Sequence, residues 1–326
     1  MQINAIYTRS VIQTMAGKAI RDLRSGGERE LRNVAKLCRE PSAPPGYQQF
    51  WSLLEDLLHR PGQQYGALLS RAANDVDISC LKTLIANLGL HACTSGSQTL
   101  RDNWQSGASP AYWMEPVDGS LDPHALHQAV LALQQRGTST FLLRAGRQAE
   151  LDAILDLAAK HHQCVFFLVL RRISCCREQL ENMTALGNVI PLIQCGDLPA
   201  LSGPLKQAGL LFGFHRSYGE IHSLGEEDRL LRQCIDRGCF LGVYEGTGPD
   251  CRENRELFYY AKLQELRQRG AREILLADLW RDRDVVQRLL LHQQTLPDCS
   301  WNGKAAQTPH AVGGERNELD YDHRCR

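Results

Sequence analysis

The sequence predicts an α/β protein with a parallel sheet, either a barrel or a barrel-like open sheet. From about residue 110 onward, segments rich in apolar and β-branched residues alternate with segments whose apolar residues recur at helical spacing. Roughly seven strands are predicted in this way, most of them followed by a short loop and a helix. One of them, Cys164–Leu170, reads CVFFLVL, a continuous apolar run that is typical of a parallel strand buried on both faces.

The first strand–helix–strand unit is predicted in residues 111–147. Ala111–Glu115 is apolar and aromatic and is predicted as a strand. Pro116–Gly119 has the residue types of a tight turn, because Asp and Gly tolerate the φ values that a chain reversal needs. An amphipathic helix follows, Gly137 ends it, and Thr138–Leu143 is predicted as the second strand.

The remaining strands and helices follow in alternation. Strands are predicted at Val189–Gln194, Leu210–His215, Phe240–Tyr244 and Glu273–Leu279. Helices are predicted at Gln148–Lys160, Glu178–Leu186, Leu201–Ala208, Glu226–Arg237, Asn254–Arg269 and Asp282–His292. These segments assign residues 106–294 to the α/β barrel.

Residues 1–105 show helical spacing without a strand rhythm and are predicted to form a helical N-terminal region. Helices are predicted at Val11–Leu23, Glu28–Leu37, Tyr47–Leu58, Gln64–Asn74 and Asp77–Leu88, with Met1–Tyr7 as a short strand. This region carries no motif with chemistry in it and is expected to supply packing or a surface for a partner protein. Residues 295–326 are polar and lack a period, which predicts a disordered tail.

Composition narrows the classes of function. The 326 residues include 37 Lys and Arg against 37 Asp and Glu, so no overall charge attracts nucleic acid. No apolar run reaches the roughly 18 residues that a membrane span needs, and the start lacks the layout of a secretory signal. The cytoplasm is the expected location.

The 12 cysteines are scattered without the spacing of a metal or redox site. None forms Cys-x-x-Cys, and the only close pairs are Cys175 with Cys176 and Cys234 with Cys239. Several lie in predicted strands or on helix faces, where cysteine acts as a small hydrophobic residue. The scatter favours a reducing compartment over a disulfide framework.

Five strings, taken in order, resemble the radical S-adenosylmethionine (radical SAM) superfamily, in its branch of partial (β/α)6 barrels with a helical lead-in. They are NLGLHACTSGSQTLRDN, which begins at Asn87, LGNVIPLIQCGD (Leu186–Asp197), LLFGFHRS (Leu210–Ser217), RGCFLGVYEG (Arg237–Gly246) and ILLADLWRD (Ile274–Asp282). The resemblance covers roughly residues 87–282 and implies a partial TIM-like barrel. An intact member would bind a [4Fe–4S] cluster and S-adenosylmethionine.

The chain departs from that superfamily at the positions that carry its chemistry. The superfamily's first turn holds Cys-x3-Cys-x2-Cys as cluster ligands, whereas this chain has Pro116–Gly119 there and no cysteine between Cys93 and Cys164. The superfamily's Gly-Gly-Glu-Pro motif binds the amino group of S-adenosylmethionine and corresponds here to Arg144–Arg147, with a cation in place of the acid. A cysteine after the last strand is absent too, unless Cys299 stands in. These losses predict a scaffold without radical chemistry and without either cofactor.

The carboxyl ends of parallel barrel strands point side chains into the barrel mouth, and this rule predicts the ligand-binding residues. They are Glu115, Arg144, Arg171, Asp197, His215, Tyr244, Glu245 and Asp278. One hypothesis is a polar, partly cationic pocket for an anionic or peptide ligand, anchored by Arg144 and Arg171. The alternative is that these residues pair with one another around a filled mouth. His215, Glu245 and Asp278 together could also bind a divalent metal.

Two classes of function remain open. The first is a non-catalytic, degenerate radical SAM-like barrel that binds a ligand, or that binds an active radical SAM enzyme through its N-terminal helices. The second is an enzyme that reuses the barrel mouth, either with a metal or as a radical SAM enzyme whose cluster ligands come from scattered cysteines. Anaerobic iron–sulfur reconstitution distinguishes the two classes.

Overall fold

Seven parallel strands form one sheet within the residues that the computed structural model describes, which are 2–25, 66–89, 95–106, 111–120, 122–218, 224–246, 260–267 and 273–291. The strands are β1 (Met114–Val117), β2 (Thr140–Ala145), β3 (Val165–Leu170), β4 (Val189–Gln194), β5 (Gly213–Ser217), β6 (Leu241–Glu245) and β7 (Leu275–Asp278). Their order in the sheet is their order in the sequence. The chain therefore winds in one direction, as in (β/α) barrels, and the predicted α/β class with a barrel-like parallel sheet is confirmed.

Helices precede the sheet and alternate with its strands. The described helices are α1 (Gln2–Arg24), α2 (Gly66–Asp75), α3 (Ile78–Ala86), α4 (Gly96–Gln105), α5 (Pro123–Gln135), α6 (Gln148–Lys160), α7 (Arg177–Leu186), α8 (Leu198–Gln207), α9 (Leu224–Asp236) and α10 (Arg281–Leu290). Residues 260–267 are helical as well. Local chemistry sets the ends: the Asp122 carboxylate accepts from two backbone N–H groups at the start of α5, and Gly187, with a φ of 64°, ends α7.

The sheet curls into a half-barrel. Arg144 on β2 and Glu245 on β6 meet across it, with 2.5 Å between Arg144 Nη2 and Glu245 Oε1. These strands lie four positions apart in the sheet, and at about 4.8 Å per strand a flat sheet would separate them by about 19 Å. An arginine and a glutamate side chain together cannot span that distance. Strands β2 to β6 therefore bend around a common concave face.

Helix α10 bridges the two ends of the sheet. Among the described residues, β1 and β7 each pair with a single strand. The backbone N–H of Trp113, just before β1, donates to Gln287 Oε1 at 2.8 Å, and its indole Nε1 donates to the Arg283 carbonyl at 2.9 Å. Gln287 Nε2 in turn donates to the Ala111 carbonyl at 3.1 Å. A helix thus joins the described sheet edges where a closed barrel would have a ladder.

The face of the sheet that the helices cover forms the main core. Phe141 and Phe166 stack there with ring centroids 5.5 Å apart, and Phe214 meets Tyr244 edge to face at 5.6 Å. All four rings are fully buried. Large apolar and aromatic side chains thus fill the space between the sheet and its helices.

Helices α2 and α3 pack against the end of the sheet where the strands begin. Arg71 of α2 donates from Nη2 to the carbonyl of Cys239 at 2.7 Å and to that of Glu273 at 2.5 Å, just before β6 and β7. The backbone N–H of Asp77, which precedes α3, donates to the Gly209 carbonyl before β5 at 2.7 Å. The starts of these strands are thereby covered, and the candidate mouth lies at the opposite end of the sheet.

One predicted strand is wrong, and other predictions fall outside the described residues. Met1–Tyr7 was predicted as a short strand, but from Gln2 onward it belongs to α1. No described strand pairs with this segment, and hydrogen bonds within the helix satisfy its backbone groups. The predicted helices Glu28–Leu37 and Tyr47–Leu58 and the predicted tail at 295–326 lie outside the described residues. In the ranges that are described, no helix is both long and apolar enough to cross a membrane.

Candidate functional site

Strand register decides which side chains face the concave side. Successive side chains of a strand point to opposite faces, and paired residues of neighbouring strands point to the same face. The ladders link the concave side through the pairs Arg144–Val169, Val169–Leu192, Leu192–Gly213, His215–Val243 and Ser217–Glu245. Arg144, His215 and Glu245 therefore share this face at the carboxyl ends of β2, β5 and β6, and we call these three residues the mouth cluster.

Glu245 is the centre of the mouth cluster. Its Oε1 lies 2.5 Å from Arg144 Nη2, and its Oε2 lies 2.9 Å from His215 Nε2. The side chains of Glu245 and His215 are each 4% exposed, whereas that of Arg144 is 27% exposed. The carboxylate thus joins a buried imidazole to a guanidinium that reaches solvent.

The two neighbours keep the Glu245 carboxylate ionised. Burial by itself raises the pKa of this group, but the hydrogen bond from His215 and the positive charge of Arg144 outweigh burial and hold the pKa below its ordinary value. The bond to Glu245 uses Nη2 of Arg144, while a guanidinium carries five N–H groups in all. The exposed part of Arg144 can therefore still donate to an anion.

Glu115 faces the helices. Its position in β1 pairs with Phe141, which belongs to the core face of the sheet. Its Oε1 accepts from the Tyr112 backbone N–H at 3.1 Å, and its Oε2 lies 3.7 Å from Arg283 Nη1 of α10. Burial raises the pKa of this carboxyl, and Arg283 opposes the shift. Glu115 therefore helps to hold α10 against β1 and lies outside the mouth cluster.

Tyr244 also points toward the helices, where it meets α9. Its hydroxyl donates to Glu227 Oε1 at 2.5 Å, and Glu227 Oε2 lies 3.0 Å from Arg216 Nε. Burial is the largest cause that raises the pKa of Tyr244, and the Glu227 charge adds to it. This second polar cluster of Tyr244, Glu227 and Arg216 lies between the sheet and α9, away from the mouth.

Asp278 accepts backbone hydrogen bonds at the start of α10. It pairs in register with Tyr244 and therefore faces the helices. Its Oδ1 accepts from the backbone N–H of Trp280 at 3.0 Å and of Arg281 at 2.7 Å, and its Oδ2 accepts from the Tyr218 hydroxyl. Burial raises the pKa of this carboxyl. Asp278 thus caps a helix at the edge of the sheet.

Arg171 and Asp197 lie in the loops that surround the mouth. Arg171 is exposed, and its backbone N–H donates to the Ala145 carbonyl at 3.0 Å. Asp197 Oδ2 accepts from the Arg172 backbone N–H at 2.9 Å. Arg172 has a φ of 52°, a left-handed conformation that is rare for residues other than glycine. Asp197 therefore holds the loop after β3 in a strained conformation.

Two further polar residues share the concave face and were missed from the sequence. Gln194 pairs in register with His215, and Ser217 pairs with Glu245, so both point to the mouth side. Both are half-buried. Both are polar residues at the carboxyl end of a strand, and this property could have identified them from the sequence.

The turn after β1 begins two residues later than predicted and packs tightly. β1 continues through Val117, and Asp118 Oδ1 accepts from the Ser120 backbone N–H at 2.9 Å. A Cβ added to Gly119 would lie 2.2 Å from the Arg144 carbonyl oxygen. The turn has no soft ligand, so its residues do not fit a [4Fe–4S] cluster.

The loop after β2 uses its own backbone donors. The N–H groups of Gly146 and Arg147 donate to Glu150 Oε2 at 2.7 and 3.1 Å. Burial raises the pKa of Glu150, but these N–H groups and the Arg147 charge outweigh burial and lower the pKa overall. Glu150 thus occupies donors that a bound ligand would otherwise find at the start of α6.

The residues predicted to bind a metal are not brought together. His215 and Glu245 face the concave side, whereas Asp278 faces the helices. In the described part of the chain, no group of three or more His, Cys, Asp or Glu residues is placed to hold a metal ion. Burial raises the pKa of the Cys80 and Cys164 thiols to about 12, and burial is the main cause that raises that of Cys175 to about 11. These thiols are protonated at neutral pH and react slowly in that form.

The mouth cluster can support two kinds of chemistry. Arg144 can bind an anionic group, and His215, oriented by Glu245, can accept or release a proton. No protein-family model matches the chain, and no curated protein matches it in sequence.

Proposed function

We propose that this chain is a non-catalytic binding protein, located in the cytoplasm and built on a degenerate barrel of the radical SAM type that binds neither a [4Fe–4S] cluster nor S-adenosylmethionine. The observation that carries the proposal is the pairing of Arg144 with Glu245 at 2.5 Å. In the superfamily that the sequence resembles, the acid of Gly-Gly-Glu-Pro binds the amino group of S-adenosylmethionine, and the four corresponding residues, Arg144–Arg147, include no acid. The amino group would therefore lack its counter-charge there, while the exposed donors of Arg144 favour an anion.

The ligand of the mouth is an anion, such as the carboxylate of a small molecule or a peptide. Arg144 is partly exposed and has donors beyond the one that bonds Glu245, and Arg171 lies exposed in the loop after β3. A ligand carboxylate would form charge-assisted hydrogen bonds with Arg144 and would take the place of solvent at the mouth. Glu245 would remain bonded to His215 and would keep Arg144 oriented.

The proposed protein partner is an active radical SAM enzyme, bound through the N-terminal helices. α1 packs against α2 and α3, and its exposed side carries Ser10, Thr14, Lys18 and Arg21 at helical spacing. Co-purification of the full-length chain with a radical SAM enzyme encoded beside it tests this association. The double variant Lys18→Glu with Arg21→Glu should abolish it, whereas Arg177→Glu on the exposed side of α7 should leave it unchanged.

Anaerobic reconstitution with iron and sulfide tests the absence of the cluster. We expect no stoichiometric iron and sulfide in the full-length protein, and no absorbance near roughly 400 nm, where clusters of this kind absorb. Stoichiometric incorporation would overturn the proposal. Replacing Cys175 and Cys176 by serine would then identify these two residues, which follow β3, as non-standard ligands if the absorbance disappears.

A second candidate function is an enzyme that moves a proton at the mouth, with or without a bound metal. The observation that favours it is the bond of 2.9 Å between His215 Nε2 and Glu245 Oε2, because a carboxylate that holds a histidine is a recurrent arrangement for a general base. A screen for hydrolysis and proton exchange, run with and without divalent metals, tests this candidate. His162→Ala is the control, because His162 is exposed and lies outside the mouth. An activity that is abolished in His215→Ala and retained in His162→Ala would favour the enzyme.

A further inference from the structure

The carboxyl ends of β3 and β4 place two more polar side chains beside the mouth cluster. Leu170 pairs in register with Ile193, and the backbone N–H of Arg171 donates to the Ala145 carbonyl at 3.0 Å, which continues the ladder of β3 by one residue. Register and alternation therefore put Arg171 beside Gln194 on the concave face. The Cα atoms of these two residues are about 5 Å apart, the spacing of neighbouring strands.

Arg144 reaches the same space from β2. It bonds Glu245 on β6, so this pair passes the ends of β3 and β4, where Arg171 and Gln194 lie. Arg144 pairs in register with Val169, which is two residues before Arg171. At about 3.3 Å per residue and 4.8 Å per strand, the Cα atoms of the two arginines are about 8 Å apart. Both guanidinium groups can therefore contact one small ligand.

Arg171 and Gln194 have unused donors. Arg171 is exposed, and its guanidinium forms no hydrogen bond or ion pair with the described part of the chain. Gln194 is half-buried, and its amide bonds none of the described residues and is not among their enclosed polar groups. With the free N–H groups of Arg144, three side chains from three neighbouring strands offer donors to one place.

The loop that carries Arg171 is fixed. Asp197 Oδ2 accepts from the Arg172 backbone N–H at 2.9 Å, and Arg172 has a left-handed φ of 52°. This conformation costs free energy in a residue other than glycine, and such residues cluster at ligand-binding sites, where the surrounding structure holds them. The backbone of Arg171 is thus in place before a ligand arrives, which lowers the conformational entropy lost on binding.

The number and the directions of these donors favour a phosphate group. A carboxylate is planar, and a single bidentate guanidinium can bind both of its oxygens. A phosphate group presents three acceptor oxygens in three directions, which matches donors on β2, β3 and β4. Glu245 balances the charge of Arg144 only, so an uncharged ligand would leave Arg171 without a counter-charge.

We infer that the mouth binds the phosphate group of a small phosphomonoester, with Arg144, Arg171 and Gln194 as its donors. This inference rests on the anion-binding function proposed above and specifies the anion. All three side chains approach from the strands. The fourth oxygen of the phosphate therefore points away from the sheet and carries the rest of the ligand toward the loops.

Amide NMR of the full-length protein tests the inference, with methyl phosphate, inorganic phosphate and acetate titrated at constant ionic strength. We expect saturable shifts of the Arg171, Gln194 and Glu245 amides. Both phosphates should bind at least about tenfold more tightly than acetate, which cannot use all three donors. Arg171→Gln should weaken methyl phosphate binding about tenfold and Gln194→Leu about threefold, because a charged donor contributes more than a neutral one.

Arg177→Gln is the matched control. It removes the same charge from an exposed arginine that pairs with Glu181 on α7, and it should leave the affinity for methyl phosphate unchanged. The Arg171 side chain is exposed as well, so both variants should fold as the unmodified protein does.

The outcomes separate this inference from the function on which it rests. Acetate binding at the same amides as tightly as methyl phosphate would overturn the phosphate assignment and leave anion binding standing, whereas shifts with none of the three anions would overturn both. Equal affinities in Arg171→Gln and Arg177→Gln would also overturn the inference, because the attraction would then be a general effect of charge. So would binding of inorganic phosphate without methyl phosphate, because an ester must fit.

Discussion

Glu245 Oε1 lies 2.5 Å from Arg144 Nη2 although the two residues belong to strands four positions apart in the sheet. This contact spans the concave face, and the other oxygen of the same carboxylate bonds His215. One acidic side chain on β6 therefore bonds side chains of β2 and β5 across the concave face. The first two predictions follow from this arrangement.

Glu245→Gln should destabilise the fold by about 2 kcal/mol, because it leaves a partly buried guanidinium without its counter-charge. The expected cost is below that for a fully buried pair, since the Arg144 side chain is 27% exposed. Urea unfolding of the full-length protein measures the change. Glu181→Gln is the control, because its pair with Arg177 is exposed on α7 and should contribute nothing measurable. Equal effects of the two substitutions would show that the mouth pair does not stabilise the fold.

Acid should remove the Glu245 contribution. The pKa of Glu245 in the folded protein is below its ordinary value, so the unfolded chain takes up the proton first as the pH falls. The stabilisation is complete above the unfolded pKa of about 4.3 and is lost as the pH falls through the folded pKa.

The free energies of unfolding of the unmodified protein and of Glu245→Gln, followed from neutral pH to about pH 3, measure this loss. The gap between the two curves should shrink as the pH falls. The raised pKa values of Glu115 and Asp278 contribute with the opposite sign but cancel in the difference. A gap that stays constant through the acid range would contradict the prediction.

Gly119→Ala should destabilise the protein by about 2–3 kcal/mol. The added Cβ would lie 2.2 Å from the Arg144 carbonyl oxygen, a backbone atom that cannot move without disturbing β2. Gly196→Ala is the matched control, since nothing lies within 4 Å of its added Cβ, and it should be neutral or slightly stabilising. Thermal unfolding of both variants provides the comparison, and tolerance of alanine at both positions would mean that the turn after β1 is looser than described.

Tyr244→Phe should cost about 1–3 kcal/mol, because it removes the donor to Glu227, a carboxylate buried between the sheet and α9. Tyr260→Phe is the comparison: its hydroxyl donates to Asp282 at 3.1 Å, but the tyrosine is only half-buried, so the cost should be smaller. Urea unfolding ranks the two variants, and the reverse order would disprove the role assigned to burial.

The order of strands and helices could be predicted because each buried parallel strand is a continuous apolar run between amphipathic helices. Gln148–Lys160 and Val189–Gln194 were predicted with the bounds that α6 and β4 have. The predicted turn at Pro116 was less accurate, since Pro116 and Val117 belong to β1. An edge strand tolerates proline, because one side of its backbone needs no ladder partner.

The candidate site could be predicted only in part. The rule that the carboxyl ends of barrel strands point side chains into the mouth predicted Arg144, His215 and Glu245 as site residues. The same rule also predicted Glu115 and Asp278, which face the helices. The difference between these groups is the face of the sheet to which each side chain points. That face depends on the phase of the alternation in each strand, and a shift of one residue at a strand boundary reverses it.

The amino-acid sequence by itself determined the alternation of strands and helices and the lack of cysteine in the first turn, because both depend on residues that are neighbours along the chain. The tertiary structure alone decided that Arg144 bonds Glu245, 101 residues away, and that α4 lies against Gly137 at the end of α5. These contacts depend on how far the sheet curls and on how closely helices approach it. Both are set by packing across the whole molecule, which no local pattern contains.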